Sequence, residues 1–154
     1  MGPVSDLGPR AGDAPRLLIV EDEIATVFAM REFFTYTGYQ VDCATSVHEA
    51  VALLDRNPYA VVITDLHLTP HRCGEGMTVL TSARTRNPHA LIVMLTAYAS
   101  EGSQREASNG GVNLYQTKPV GLAELAARIE SGRRQGSRAA RTGDGTEWGG
   151  ACPQ

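Results

Sequence analysis

Four stretches of this 154-residue chain end in side chains suited to chemistry: Glu21-Asp22-Glu23, Thr64-Asp65, Thr96-Ala97 and Lys118-Pro119. Each follows a short apolar run. Should those runs lie side by side, Glu21, Asp22 and Asp65 would crowd together beside one hydroxyl and one ammonium. Crowded carboxylates repel, so one of them takes up a proton or a cation sits among them. An all-oxygen site of high negative charge suits Mg²⁺ (or Mn²⁺) rather than zinc, and magnesium typically binds through a couple of carboxylates plus phosphate oxygens. Lys118 adds a compact positive charge. A carboxylate nucleophile flanked by Mg²⁺ and Lys is the arrangement that forms an aspartyl phosphate, because both cations neutralise charge spread over the phosphoryl oxygens during transfer.

The elements that must position these groups are legible in the hydropathy pattern. The apolar runs are Leu17 to Val20, Val41 with its neighbours Tyr39 and Cys43, Ala60 to Ile63, Leu91 to Leu95, and Val112 to Tyr115. Three of them are continuous and rich in β-branched residues, as strands buried on both faces are. Helical spacing separates the runs. Ile24, Val27, Phe28 and Phe34 mark the first helix, which stops at Gly38. Ser46 and Glu49 form a capping box for the second, with Val51, Leu53 and Leu54 facing inward. Met77 and Leu80 belong to the third. The fourth, around Ser100 to Ser108, is polar and weakly amphipathic, whereas Leu122, Leu125, Ala126 and Ile129 give the fifth a clear apolar stripe. Alternating strands and helices predict a doubly wound α/β fold, a five-stranded parallel sheet in flavodoxin-like order 2-1-3-4-5 with helices on both faces. Sites in such sheets form at the carboxyl ends of the strands, where all four stretches stand.

Composition sets outer limits. The length suits one domain, and the fractions of apolar (42%) and charged (20%) residues are ordinary for a globular protein. A net charge of −3 gives no general attraction to nucleic acid or anionic membrane. Neither a membrane-length apolar run nor a signal peptide is present, and the three cysteines, Cys43, Cys73 and Cys152, are scattered. These features predict a cytoplasmic protein with reduced thiols. Residues 1–15 and 133–154 are poor in large apolar side chains, Trp148 apart, and read as disordered segments flanking a folded domain over 16–132. His67, His71 and Cys73 lack a fourth ligand for zinc. Arg133, Arg134, Arg138 and Arg141 are followed by Asp144 and Glu147, which suits a solvated tail rather than a nucleic-acid contact.

The blocks Leu18-Ile19-Val20-Glu21-Asp22-Glu23, Val62-Ile63-Thr64-Asp65, Leu95-Thr96-Ala97 and Tyr115-Gln116-Thr117-Lys118-Pro119 together resemble the signatures of the response-regulator receiver family over about residues 16 to 131. The resemblance implies roles residue by residue. Asp65 is the expected phosphoacceptor. Asp22 binds Mg²⁺ directly, Glu21 acts mainly through metal-bound water, and the backbone carbonyl of His67 completes the protein's share of the ligands. Thr96 swings its hydroxyl onto the phosphoryl group, Lys118 pairs with a phosphoryl oxygen, and Tyr115 is the switch aromatic. The Lys118-Pro119 bond is expected to be cis. His67 and Tyr98 occupy positions that tune access of water to the phosphoryl group, and their size implies slow dephosphorylation.

The chain departs from the family after Asp65. The loop is a few residues longer than usual, Thr69 stands where proline is common with Pro70 following, and either Gly74 or Gly76 opens the third helix, Gly76 giving the better register. Val120 replaces the usual aromatic after Lys118-Pro119. A flavodoxin would need a phosphate-cradling loop where this chain has three acids. A haloacid-dehalogenase-type phosphatase would need an acid at the position of His67. The remaining alternative is a receiver-like interaction module that no longer accepts phosphate. The expectation is a stand-alone signalling switch rather than an enzyme in the turnover sense. Its implied partners are a sensor histidine kinase or histidine phosphotransfer protein, and a downstream protein bound on the face of the fourth helix, fifth strand and fifth helix. It is read as a monomer or weak phosphorylation-dependent homodimer.

Overall fold

A computed structural model describes residues 14–67 and 75–142. Five strands alternate with five helices: β1 (Arg16–Val20), α1 (Ile24–Tyr36), β2 (Gln40–Ala44), α2 (Val47–Arg56), β3 (Val61–Asp65), α3 (Glu75–Arg86), β4 (Leu91–Thr96), α4 (Glu101–Asn109), β5 (Leu114–Thr117) and α5 (Leu122–Thr142). All strand pairs are parallel and their order is β2-β1-β3-β4-β5, as the alternation predicts.

The central strands β1, β3 and β4 are apolar over most of their length because both faces of the sheet are covered there. Leu18, Val20, Val62, Ile92 and Met94 point to the side of α2, α3 and α4, where Ala50, Leu54, Val79, Leu80, Ala83 and Ala107 meet them. Leu17, Ile19, Val61, Ile63, Val93 and Leu95 point to the side of α1 and α5, against Met30, Phe34, Leu125 and Ile129. This is the two-residue alternation of a strand read into two separate cores. Each fully buried side chain of this size contributes about 1.5–3 kcal/mol.

Local signals set most boundaries. The Ser46 side chain accepts from the Glu49 amide at 3.1 Å. Glu49 reaches one residue further back than a capping box requires, accepting from the Thr45 amide at 2.8 Å. After α1 the chain turns at Gly38, whose φ of 113° suits a residue without a Cβ.

Three expectations shift. The strand read from Val112 to Tyr115 begins at Leu114, because the Val112 amide donates to Ala107 O and closes the end of α4. Helix α5 runs past the boundary expected at 132 and ends at Thr142, so the first residues of the expected tail are helical. In α1 the inward residues are Met30 and Phe34, while Ile24 and Phe28 are 70% and 60% exposed. The expectations for Thr69, Pro70, His71, Cys73 and Gly74, and for the two terminal segments beyond 14–142, lie outside the described residues.

Candidate functional site

The carboxyl ends of β1, β3, β4 and β5 bring the expected residues together. Glu21 follows β1 and is fixed by its own amide, which donates to Ala44 O of β2 at 3.0 Å. Asp65 is the last residue of β3, paired with Leu95. Thr96 ends β4, and its carbonyl accepts from the Lys118 amide at 2.7 Å, which sets Lys118 beside it. The Lys118-Pro119 bond is cis, as expected.

Lys118 is the hub. Its Nζ lies 2.9 Å from Glu21 Oε1 and 2.9 Å from Asp65 Oδ2. Asp65 and Glu21 are nearly buried, 7% and 3% exposed, whereas Asp22 faces solvent. Carboxylate oxygens of Glu21, Asp22 and Asp65 lie within 4.8 Å of one another. Burial raises the Glu21 carboxyl above its ordinary range, Lys118 offsets this and the Asp65 charge adds to it. Burial alone would lower the Lys118 ammonium, but hydrogen bonds to Glu21 and Asp65 outweigh it and hold the group above its usual value. Among the described residues one ammonium thus stands against three carboxylates, which leaves an excess of negative charge.

The donor set fits a hard divalent cation. It is all oxygen, and Lys118 already holds one oxygen each from Glu21 and Asp65. Asp22 and the second oxygen of Asp65 remain available, with Glu21 behind them. That second oxygen, Oδ1, accepts from the His67 backbone amide at 3.1 Å, so the residue after Leu66 is folded back over the site.

Gly76 has a defined task here. A Cβ at this position would stand 2.4 Å from Asp65 O and 2.7 Å from Leu66 Cα. Its amide donates to Leu66 O at 3.0 Å. Helix α3, which starts at Glu75, therefore packs through Gly76 on the backbone of the β3 end, while Gly74 lies outside the described residues.

The remaining expected residues are placed as follows. The Thr96 hydroxyl accepts from the Tyr98 amide at 3.1 Å and does not reach Asp65. Tyr98 is 80% exposed. Tyr115, in β5 opposite Met94, packs on the core under α4. Its hydroxyl meets Ser103 Oγ at 2.5 Å. Ser103 was missed from the sequence, although the Ser100-x-x-Ser103 spacing at a helix start was a usable signal.

Comparison with known proteins agrees with this geometry. The family model described as response regulator receiver domain matches residues 17–130. The chain is 33% identical over 124 residues to the transcriptional regulatory protein PmrA of Pectobacterium parmentieri, covering 79% of this chain and 54% of that protein. It is 31% identical over 121 residues to the transcriptional regulatory protein TcrA of Mycobacterium tuberculosis, covering 79% and 47%. The chain thus spans about half the length of these curated relatives. Among solved structures, a CheY-like receiver domain protein from Methanospirillum hungatei superposes with a TM-score of 0.74 at 25% identity, over 81% of this chain and 98% of that one. A Burkholderia pseudomallei response regulator, crystallised with a phosphorylated aspartic acid, shares the fold with a TM-score of 0.70 at 22% identity, over 84% and 75%. Sheet order, strand-end chemistry and a family match over most of the chain converge, and the chain belongs to the response regulator receiver domains of two-component signalling.

Proposed function

We propose that the chain is a phosphoacceptor receiver in which Asp65 takes a phosphoryl group, in a Mg²⁺-dependent reaction, from a sensor histidine kinase or histidine phosphotransfer protein. The observation that carries this is the Asp65 carboxylate, nearly buried, held at one oxygen by Lys118 Nζ and at the other by the His67 amide. An Asp65 oxygen forms the new bond to phosphorus, the donor's P–N bond breaks, and the donor nitrogen takes up a proton. Lys118 then pairs with a phosphoryl oxygen. Asp22, Asp65 and the His67 carbonyl would hold the divalent ion, with Glu21 behind. When bound, that ion neutralises charge on the transferring group. The added group carries about −1.5 to −2 charge, so the Thr96 hydroxyl gains a charge-assisted hydrogen bond by leaving the Tyr98 amide and turning inward. Space opens beside Tyr115, which biases the surface of α4, β5 and α5 toward a downstream protein.

Such a protein is a cytoplasmic signalling switch, without direct contact to nucleic acid or membrane. Among the described residues, no helix is long and apolar enough to cross a membrane. Incubation with acetyl phosphate and Mg²⁺, followed by intact mass, tests the proposal. One added phosphoryl group is expected, lost in Asp65→Asn and with chelator. No addition to the wild type, or addition that persists in Asp65→Asn, overturns it in favour of an interaction module that does not accept phosphate.

A further inference from the structure

The two ends of α4 are held in unlike ways. At its C-terminal end the fit is close. Ala107, the one fully buried residue of the helix, accepts from both the Gly110 and Val112 amides. A Cβ on Gly110 would stand 2.8 Å from Leu80 Cδ2, and one on Gly111 would stand 3.1 Å from Arg84 Nε. The Arg84 guanidinium donates from Nη1 to Pro88 O and Ala90 O, both at 2.8 Å, and from Nη2 to Gly111 O at 2.6 Å and Asn113 Oδ1 at 2.8 Å. Asn113 Oδ1 also accepts from the Ile92 amide at 2.7 Å, which ties the turn to β4. One rigid fork therefore joins the end of α3, the start of β4 and the turn into β5.

At its N-terminal end α4 stands open. A Cβ on Gly102 would have nothing within 4 Å. The first turn is closed by serine hydroxyls: Ser100 Oγ accepts from the Ser103 amide at 3.1 Å, and Ser103 Oγ accepts from the Ser100 amide at 3.3 Å. Among the described residues, the tertiary polar tie of this turn is the pair between Ser103 Oγ and Tyr115 OH. Either hydroxyl of that pair can donate, and Ser103 Oγ also lies 3.2 Å from Ser100 O and 3.0 Å from Ser100 Oγ. Thr96, four residues upstream of Ser100, leads through the loop into this turn, and its hydroxyl holds the Tyr98 amide.

We propose that α4 is a hinged lever, fixed at its C-terminal end by Arg84 and latched at its N-terminal end by the Ser103–Tyr115 hydroxyl pair. This deepens the phospho-switch reading and rests on it for its trigger. Ser103 becomes a positioning residue of the switch, because rotation of Tyr115 away from it removes the tie that holds the first turn of α4 to β5. Release then frees the N-terminal half of the helix while Ala107 and Arg84 keep the other half in place.

Residue-resolved amide exchange on the full chain tests the latch without phosphorylation. Tyr115→Phe keeps the ring and the serine cap and deletes one hydroxyl. It is expected to speed exchange at Ser103 to Arg105 about fivefold, the worth of one hydrogen bond, and to leave Gly110 to Asn113 unchanged. Arg84→Lys is expected to do the reverse, since an ammonium cannot make the four-point fork. A Ser103→Ala, Tyr115→Phe double variant is expected to exchange no faster than Ser103→Ala alone. Unchanged exchange at Ser103 to Arg105 in Tyr115→Phe, or equal acceleration at both ends, overturns the lever. Beryllofluoride with Mg²⁺ adds the trigger: it is expected to speed the same amides in the wild type and to add little in Tyr115→Phe. A beryllofluoride effect of equal size in both proteins also overturns the latch. Absence of any beryllofluoride effect would count against the phosphoacceptor reading, while the Tyr115→Phe result would still decide the latch.

Discussion

The two ends of the parallel sheet treat charge in opposite ways. Toward the amino ends of the strands the charged groups have partners, although Arg16 Nε is left without a hydrogen bond. Arg16 pairs with Asp42 at 3.0 Å, and the Tyr59 hydroxyl donates to the same Asp42 oxygen at 2.6 Å. The guanidinium of Arg84, which burial shifts downward, is met by three carbonyls and an amide oxygen. At the carboxyl ends, among the described residues, Lys118 pairs with Glu21 and Asp65 while Asp22 adds a third carboxylate beside them. Matched groups hold a fold together, whereas an unmatched cluster is poised to gain a counter-ion or a new covalent group. The amino end is thus built for stability, and the carboxyl end depends on packing around it to stay assembled.

The strongest way to break this contrast is Gly76→Ala. If packing maintains the carboxyl end, a Cβ pressed against Asp65 O and Leu66 Cα must displace α3 or β3. A loss of about 3 kcal/mol in urea unfolding is expected. A loss below the error of the measurement would mean that the close approach of α3 carries no weight.

Alkaline pH should attack the other end. Burial, followed by the hydrogen bond to Asp42, pushes the Tyr59 hydroxyl up to about 12 from 10.0. A group whose folded value is raised contributes stability that is fully present below pH 10 and is lost as pH climbs through 12. Wild type is therefore expected to lose about 2 kcal/mol across that window. Tyr59→Phe would start less stable and fall less steeply. Absorbance of tyrosinate should show one of the five tyrosines titrating late in wild type. Parallel melting curves for the two proteins through this window would remove Tyr59 from the matched network.

Asp42→Ala tests the same network near neutral pH. It leaves the Tyr59 hydroxyl and the Arg16 guanidinium without their shared acceptor. The expected cost is about 2 kcal/mol, tempered because Arg16 and Asp42 are partly exposed. Thermal unfolding decides it, and an effect within error would make this end as dispensable as a surface ion pair.

Much of this contrast was readable in the sequence, for a physical reason. Parallel strands covered on both faces must be continuously apolar, so Leu17 to Val20, Ala60 to Ile63 and Leu91 to Leu95 announced themselves, and the residues after them fell at the carboxyl ends. What escaped depends on contacts between segments far apart in sequence. The folded domain was expected to end at 132, yet Gly132 lies within α5 where a Cβ would stand 2.8 Å from Leu91 Cδ1. Glycine there answers a close approach, which periodicity does not reveal. Ile24 and Phe28 fit a helical pattern as well as Met30 and Phe34 do, and only the course of α1 separates exposed from buried. Ser103 is one serine among several until β5 places Tyr115 against it.

The smallest expected effect is also the most discriminating, because its sign opposes that of Asp42→Ala. Asp22 is exposed and adds like charge to Glu21 and Asp65 without holding Lys118. Its removal in Asp22→Asn relieves repulsion in metal-free buffer, so the melting temperature is expected to rise by about 2 °C. Added Mg²⁺ should reverse the order. It is expected to stabilise wild type in a concentration-dependent way, since an ion that binds only the folded chain shifts the folding equilibrium by mass action. The variant, short of one carboxylate ligand, should respond weakly. Two acids, one at each end of the same sheet, would then be told apart by the sign of their removal. A destabilised Asp22→Asn protein in chelator would mean that this carboxylate is matched after all, and that the carboxyl end is not the open half of the comparison.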